Sequence, residues 1–179
     1  MHPRWVAVDE VYTFRELDNE TRQLMLDELE QDVAEHGHPY RGTGTLTEAG
    51  LNKYAGLLTD ALTKGNEGSL VAALNGPGLV ASPVSDAARR LGWTEFNRYY
   101  IRGICRRAAA HGVTAVHVYR ARVSMAKRTK SEELDNQSLS APRILANLRG
   151  NLLDPDSGLG RVNSGITLRC GCQTCLAVT

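Results

Sequence analysis

The sequence has no long apolar run and little that marks a secreted protein. No run of 18 apolar residues occurs in its 179 residues, so we expect no membrane-spanning segment. The first ten residues lack a basic segment followed by an apolar core, so no signal peptide is predicted. The 4 cysteines, without a secretory signal, indicate a reducing compartment. We therefore expect a cytoplasmic protein without a disulfide scaffold and without a membrane partner.

Motifs of the common enzyme classes are also missing. The glycine pairs Gly42-x-Gly44 and Gly76-x-Gly78 are not followed by the Lys-Ser/Thr of a P-loop. Neither a Gly-x-Ser-x-Gly turn nor a His-Glu-x-x-His helix occurs in the sequence. No spacing of titratable residues implies acid–base catalysis, although catalytic residues far apart in the chain leave no such pattern. The sequence thus favours a non-enzymatic protein.

Two consecutive segments of the chain each contain few charges of one sign; we call them the acidic half and the basic half. Residues 1–60 carry 5 basic and 12 acidic side chains, whereas residues 61–130 carry 12 basic and 3 acidic ones. Within residues 89–130, Glu95 alone opposes eleven basic residues. A basic half can meet a polyanion, or the two halves can neutralise each other within one fold or between subunits. Arginine outnumbers lysine 17 to 4, which favours phosphate or carboxylate pairing but also follows from a GC-rich genome.

Apolar periodicity and cap residues predict five or six helices and two or three short strands, which is a helix-rich α+β fold. Helices are expected after Asp18, after Thr45, at 69–74, at 83–91, at 94–110 and after Ser140. Residues 5–14 are expected to form an opening strand or an extended arm, residues 114–123 a strand, and residues 127–137 a loop. We treat residues 1–150 as one helix-rich domain and residues 151–179 as a loop with a cysteine-containing C-terminal segment.

Residues 85–101 resemble a helix-turn-helix in part. Ala88 is the small residue of a first helix, Gly92 makes the turn, and Ile101 is a core position of a second helix. Arg98 departs from the pattern, because it stands where the motif has an apolar residue. The resemblance implies that the start of the second helix enters the major groove and reads it with Thr94, Glu95, Asn97 and Arg98.

The same segment predicts a basic ridge. Arg98, Arg102 and Arg106 recur every four residues and so lie along one side of a helix. Such a ridge, opposite an apolar face, suits contact with phosphates. The alternative is a solvated helix whose arginines pair with the acidic N-terminal half. The predicted nucleic-acid-binding residues are Arg89, Arg90, Arg98, Arg102, Arg106 and Arg107.

Three thiols lie close together near the C-terminus, at Cys170, Cys172 and Cys175. Thiolates at this spacing suit Zn²⁺, for which tetrahedral closure needs a fourth ligand from elsewhere in the fold. The alternatives are a redox pair at Cys172 and Cys175, or three structural thiols in a strand or tail. Zinc is the one cofactor that the sequence suggests.

These features favour a non-enzymatic binding protein, from a bacterium or its mobile elements, that contacts nucleic acid through the arginine-rich segment 89–130. One alternative is a structural or assembly protein that self-associates as an oligomer through its complementary charge halves. A second alternative is a metal-binding or redox domain built on the C-terminal cysteines. The expected partners are therefore nucleic acid, another protein or a second copy of the chain.

Overall fold

The structure, a computed structural model, describes residues 12–42, 44–82, 86–122, 129–150, 159 and 165–172. Within these residues six helices and a three-stranded antiparallel sheet confirm the helix-rich α+β fold. None of the described helices is long and apolar enough to cross a membrane. The elements are α1 Asn19–His36, α2 Glu48–Lys64, α3 Glu67–Leu74, α4 Ala87–Ala110, β1 Ala115–Arg120, α5 Thr129–Leu134, β2 Ser138–Ser140, α6 Ala141–Gly150 and β3 Ile166–Cys170.

Side-chain caps define where the first helices begin. Asp18 caps α1 as predicted, because its carboxylate accepts a hydrogen bond from a backbone amide of the first turn at 3.0 Å. The cap of α2 is Thr47, so the cap predicted at Thr45 is wrong by two residues. The chain before Thr47 is held extended by an antiparallel bridge between Leu46 and Val80, and the helix begins only after that bridge.

The central element is α4, which contacts α1, α3, α6 and the sheet. It runs without a break from Ala87 to Ala110, so the turn predicted at Gly92 is wrong and no helix-turn-helix forms there. A Cβ atom on Gly92 would come within 2.7 Å of Val71 on α3. A Cβ atom on Gly103 would come within 2.9 Å of Met25 on α1. These glycines therefore allow neighbouring helices to approach α4 closely.

The sheet covers one side of this helical layer. Its central strand is β1, which pairs with β2 on one side and β3 on the other, and it confirms the strand predicted at 114–123. Val118 stands opposite Leu168 in this register, and both belong to the core that includes α4. The strand β3 lies within residues 151–179, so part of that segment completes the sheet.

One predicted loop contains a helix in the structure, and one predicted segment lies mostly outside the described residues. The loop predicted at 127–137 contains α5, which forms because lysine, glutamate and leucine favour a helical turn. The strand or extended arm predicted at 5–14 lies outside the described residues except for its last three positions.

The close packing of α1 on α4 predicts opposite effects for alanine at two helical glycines. Gly103→Ala should lower the free energy of unfolding by about 1–3 kcal/mol, because the added methyl group meets Met25 and a backbone oxygen of α1. Gly56→Ala is the control, since its Cβ would have no neighbour within 4 Å. That variant should gain about 0.5–1 kcal/mol from helix propensity. Urea denaturation measures both, and equal stability of the two variants would contradict the packing described.

Candidate functional site

The predicted arginine ridge of α4 meets the acidic helix α1 in the protein interior. Arg102 is fully buried, and its Nε donates a hydrogen bond to Glu28 Oε2 at 2.8 Å. Its Nη1 and Nη2 donate to the two carboxylate oxygens of Asp32 at 2.6 and 2.9 Å. The hydroxyl of Tyr99 also donates to Asp32, at 2.7 Å. We call these four residues the α1–α4 ion network.

Two further arginines border this network. Arg149 of α6 donates to both oxygens of Glu28, and Arg106 Nη1 lies 3.3 Å from one of them. Burial acts to raise the pKa of Glu28, but the hydrogen bonds from Arg149 and the charge of Arg102 hold it below its ordinary value. The pKa of Arg102 is raised, because its bonds to Asp32 outweigh the effect of burial. Glu28 and Arg102 therefore carry opposite charges at neutral pH.

Two other arginines of the predicted interface are buried as well. Arg98 is 3% exposed and donates to the carbonyl oxygen of Leu148 at 3.0 Å. Arg107 is 6% exposed, and its Nη1 donates to the Asp18 carboxylate at 2.7 Å and to the Thr21 hydroxyl at 2.8 Å. A side chain placed in this way reaches a phosphate only if the helices around α4 separate.

Arg89 and Arg90 stay on the surface, in the first turn of α4. The side chain of Arg89 is 49% exposed and lies 2.7 Å from the Asp86 carboxylate. Its guanidinium carbon is 5.1 Å from the ring centre of Trp93, within cation–π range. Arg90 is exposed and borders a cavity. The exposed part of the predicted basic surface therefore lies at the start of α4, together with the partly exposed Arg106.

The described cysteines are buried. The amide of Cys172 donates to Cys170 Sγ at 3.4 Å at the end of β3. Burial raises the pKa of Cys170 to about 11 and that of Cys105 to about 12, so both thiols are protonated at neutral pH. Cys175 lies outside the described residues, and within them no group of three His, Cys, Asp or Glu side chains is placed to hold a metal. The zinc and redox hypotheses stay predictions.

A cavity of about 280 Å³ opens beside the first turns of α4. We call it the Glu95 pocket, and its lining consists of Tyr40, Gly42, Thr45, Ala87, Arg90, Leu91, Thr94 and Glu95. The loop before α2 supplies one wall and α4 the other. Gly42 bends this loop with a φ of 70°, and a Cβ atom there would lie 2.7 Å from the Thr45 hydroxyl oxygen. The wall therefore depends on glycine at this position.

The unusual group in this pocket is the carboxyl group of Glu95. It is 0% exposed, and neither oxygen has a hydrogen-bond partner among the described residues. Arg98 Nη1 lies 3.9 Å from Oε1, which is too far for a hydrogen bond. The buried hydroxyl of Thr94 also has no partner in the described part of the chain. Two residues that border the pocket thus carry buried polar atoms without a hydrogen-bond partner in the described residues.

Burial changes the acidity of Glu95. It raises the pKa of this carboxyl group to about 7, with Arg98 opposing the change and Asp32 adding to it. The group therefore changes between its neutral and its ionised form near neutral pH. Small changes in pH or in the pocket's occupancy will shift this balance.

A second buried carboxylate, that of Glu67, differs in this respect. Its Oε1 accepts a hydrogen bond from the amide of Tyr12 at 2.9 Å, and only Oε2 lacks a partner within the described residues. This bond fixes the chain at Tyr12 to the start of α3, which accounts for the burial of Glu67. No contact of this kind, in the part of the chain described, accounts for the burial of Glu95.

The sequence contained a signal for Glu95 that we interpreted otherwise. Glu95 is the single acid among eleven basic residues within 89–130, and its neighbours one turn away are Leu91 and Tyr99. An acid next to large side chains on a helix indicates a buried carboxylate, whereas we predicted a residue that reads DNA bases. Tyr40 and Gly42 carry no such signal, because only the tertiary fold brings their loop to α4.

Comparison of the chain with protein-family models, curated proteins and solved structures found no match. Its function must therefore be inferred from the residues of the site.

Glu95 predicts that stability depends on pH. Its pKa rises from an ordinary 4.5 to about 7 on folding, so between these values the folded protein holds a proton that the unfolded chain has released. The free energy of unfolding should fall as the pH rises through this window, by about 3 kcal/mol for this group. Glu95→Gln cannot ionise, so it should match the wild type at the acid end and be more stable by that amount at about pH 8.

Urea denaturation across this window measures the difference between the two proteins. The exposed Glu30→Gln on α1 is the control. The groups that act on Glu95 remain in both proteins; they are Arg98, Arg102, Asp32, Tyr54 and Tyr99. A difference between Glu95→Gln and wild type that is constant with pH would show that Glu95 titrates as an exposed acid does.

Proposed function

We propose that the chain is a non-enzymatic binding protein and that its ligand binds in the Glu95 pocket. One observation supports this most. The carboxylate of Glu95 is buried, borders a cavity and has no hydrogen-bond partner in the described residues. Leaving a buried polar group unpaired costs about 1–3 kcal/mol, and more when the group is charged. Because these oxygens are buried, a ligand in the cavity reaches them only when the Glu95 side chain turns towards it, and hydrogen bonds donated to the carboxylate then remove that cost.

The lining is more consistent with binding than with a reaction. Its described residues include a single carboxyl group and no histidine, cysteine or lysine that could act with it as nucleophile or second acid–base group. The volume of about 280 Å³ is slightly below the range of about 300–1,000 Å³ found for drug-sized ligands. The proposed ligand is therefore small, with one ring system or a comparable group inside the pocket.

The other functions predicted from the sequence receive less support. Self-association through complementary charge halves was one alternative, and Arg102 joins these halves within one chain through Glu28 and Asp32. Of the predicted nucleic-acid-binding residues, Arg89 and Arg90 are still exposed to a partner. Arg90 borders the pocket, and Arg89 is its neighbour in the chain. A nucleic acid is therefore a candidate ligand mainly at the Glu95 pocket, and less so along the predicted ridge.

The pocket can be tested by closing it. Ala87 is half-buried and borders the pocket, so Ala87→Trp should fill part of it. Ala55→Trp, at an exposed position of α2, is the matched control. Saturation-transfer NMR with benzamidine, 2-aminopyridine and guanosine monophosphate should detect binding to the wild type and to Ala55→Trp. The signal should be lost with Ala87→Trp.

Two results would contradict the proposed function. In the first, none of the three probes binds the wild-type protein. In the second, the probes that do bind give the same signal with Ala87→Trp as with Ala55→Trp. Circular dichroism of both tryptophan variants establishes that they are folded before the probes are compared.

A further inference from the structure

The carboxyl group of Glu95 lies at the boundary between the pocket and the core. Glu95 borders the cavity, yet both of its carboxylate oxygens have almost no accessible surface, so the structure holds them on the core side. No described residue donates a hydrogen bond to them there. A neutral carboxyl group tolerates such a position, whereas an ionised one loses the hydration that it has in water. The observed position of the side chain therefore suits its neutral form.

The cationic donors that act on Glu95 from the core already bind other groups. Arg98 donates to the carbonyl oxygen of Leu148 at 3.0 Å. Its Nη1 lies 3.9 Å from Glu95 Oε1, which is too far for a hydrogen bond. Arg102 donates to the two buried carboxylates of α1, and the hydroxyl of Tyr99 donates to one of them. An ionised Glu95 on the core side is therefore attracted by these arginines without receiving a hydrogen bond from them.

The groups around Glu95 on the core side disfavour its ionised form. Burial is the largest effect and raises the pKa of this carboxyl group; Arg98 opposes the change, Asp32 adds to it, and Arg102 opposes it. The charge of Asp32 thus repels an ionised Glu95 from the side of α1. The titratable and charged groups that act on Glu95 are Asp32 on α1, Tyr54 on α2, and Arg98, Tyr99 and Arg102 on α4, while Tyr40 and Arg90 border the same cavity.

The cavity offers an ionised carboxylate the water that the core does not. Its volume is about 280 Å³, and one water takes about 30 Å³ of the liquid, so a carboxyl group and several waters fit inside. The lining on the side of the loop and at the start of α4 includes small residues, namely Gly42, Thr45 and Ala87. A glutamate side chain has several staggered rotamers, so its carboxylate can move towards the cavity by rotation about side-chain bonds.

We infer that Glu95 is a gate controlled by proton binding: its neutral side chain stays on the core side, and its ionised side chain turns into the pocket and presents the carboxylate there. This inference rests on the proposed function, because it concerns the regulation of the same pocket. The pocket gains a negative charge as the pH rises, and a ligand that donates hydrogen bonds then finds an acceptor in it.

Carboxyl-group NMR tests this movement without any ligand. In protein labelled with ¹³C at the glutamate carboxyl groups, the resonance of Glu95 is the one missing from Glu95→Gln. Its chemical shift reports ionisation, and its broadening by a dissolved nitroxide reports access to solvent. Exposed Glu30 and buried Glu67 are the two references. Between about pH 6 and about pH 8, the broadening of Glu95 should rise several-fold from the level of Glu67 towards that of Glu30.

Two results of this experiment would overturn the inference. Broadening that stays at the level of Glu67 at both pH values would show that the side chain remains on the core side whatever its charge. Broadening equal to that of Glu30 at both pH values would show that the side chain faces the cavity in both forms.

Filling the cavity tests whether the movement depends on it. Ala87→Trp should prevent the rise in broadening and move the titration of the Glu95 chemical shift to higher pH, because the ionised group no longer reaches water. Ala55→Trp, at the exposed position of α2, is the matched control and should behave as the wild type. Equal behaviour of the two tryptophan variants would overturn the assignment of the movement to this pocket.

The gate also predicts how pH changes binding. Benzamidine keeps its positive charge throughout this pH range, so a change in its affinity reports on the protein. It should bind on the order of 10-fold more tightly at about pH 8 than at about pH 6, because only the ionised form presents its carboxylate. Glu95→Gln should lose this difference.

These measurements separate the gate from the proposed function. Probe binding without any exposure of the Glu95 carboxylate would overturn the gate and leave the proposed function standing. Exposure of the carboxylate at the higher pH without binding of any probe would support the movement and contradict the proposed function.

Discussion

The fold depends on one buried arginine. Arg102 lies at the middle of α4 with no exposed surface, and its guanidinium group contacts two carboxylates of α1 that are buried as well. Removing one partner of such a network leaves a charge in the interior without compensation, so each member requires the others. The network therefore fixes how α1 crosses α4, and the glycine at 103 permits the close approach that its distances need. The remaining helices and the sheet pack around this pair.

This arrangement explains where the chain can offer charge to a partner. The acidic N-terminal half and the basic middle of the sequence meet along α1 and α4, so much of the charge asymmetry is satisfied inside the molecule. The exposed arginines at 89 and 90 belong to the first turn of α4, where the Glu95 pocket also lies. The buried Glu95, whose oxygens have no hydrogen-bond partner within the described residues, differs from the acids of α1, which already have their hydrogen bonds. The contrast between the two kinds of carboxylate is the basis for placing function at the pocket.

Local features of this fold were predictable and the partners of charged groups were not. The fold class, the cap at Asp18 and the central strand β1 follow from cap chemistry and apolar periodicity. The inward face of α1 was harder, since its buried residues are Thr21, Met25, Glu28, Leu29 and Asp32, a regular helical stripe that includes two acids. Apolar periodicity alone predicts Val33 on that face, whereas it is 40% exposed. A four-residue arginine spacing likewise predicts a ridge but does not show which residues the arginines contact. A glycine such as Gly92 is expected both in a turn and at a close helix contact, so the sequence does not distinguish the two.

The most direct test of this account is a double-mutant cycle between Arg102→Met and Asp32→Asn, measured by urea denaturation. Each single change should cost about 3–5 kcal/mol, because it leaves buried charge unpaired. The double change should cost less than the two together, with a coupling of up to about 3 kcal/mol. The exposed pair Arg89–Asp86 provides the control cycle, for which coupling of about 0–1 kcal/mol is expected. Additive and small effects at Arg102 and Asp32, equal to those of the control pair, would contradict the account.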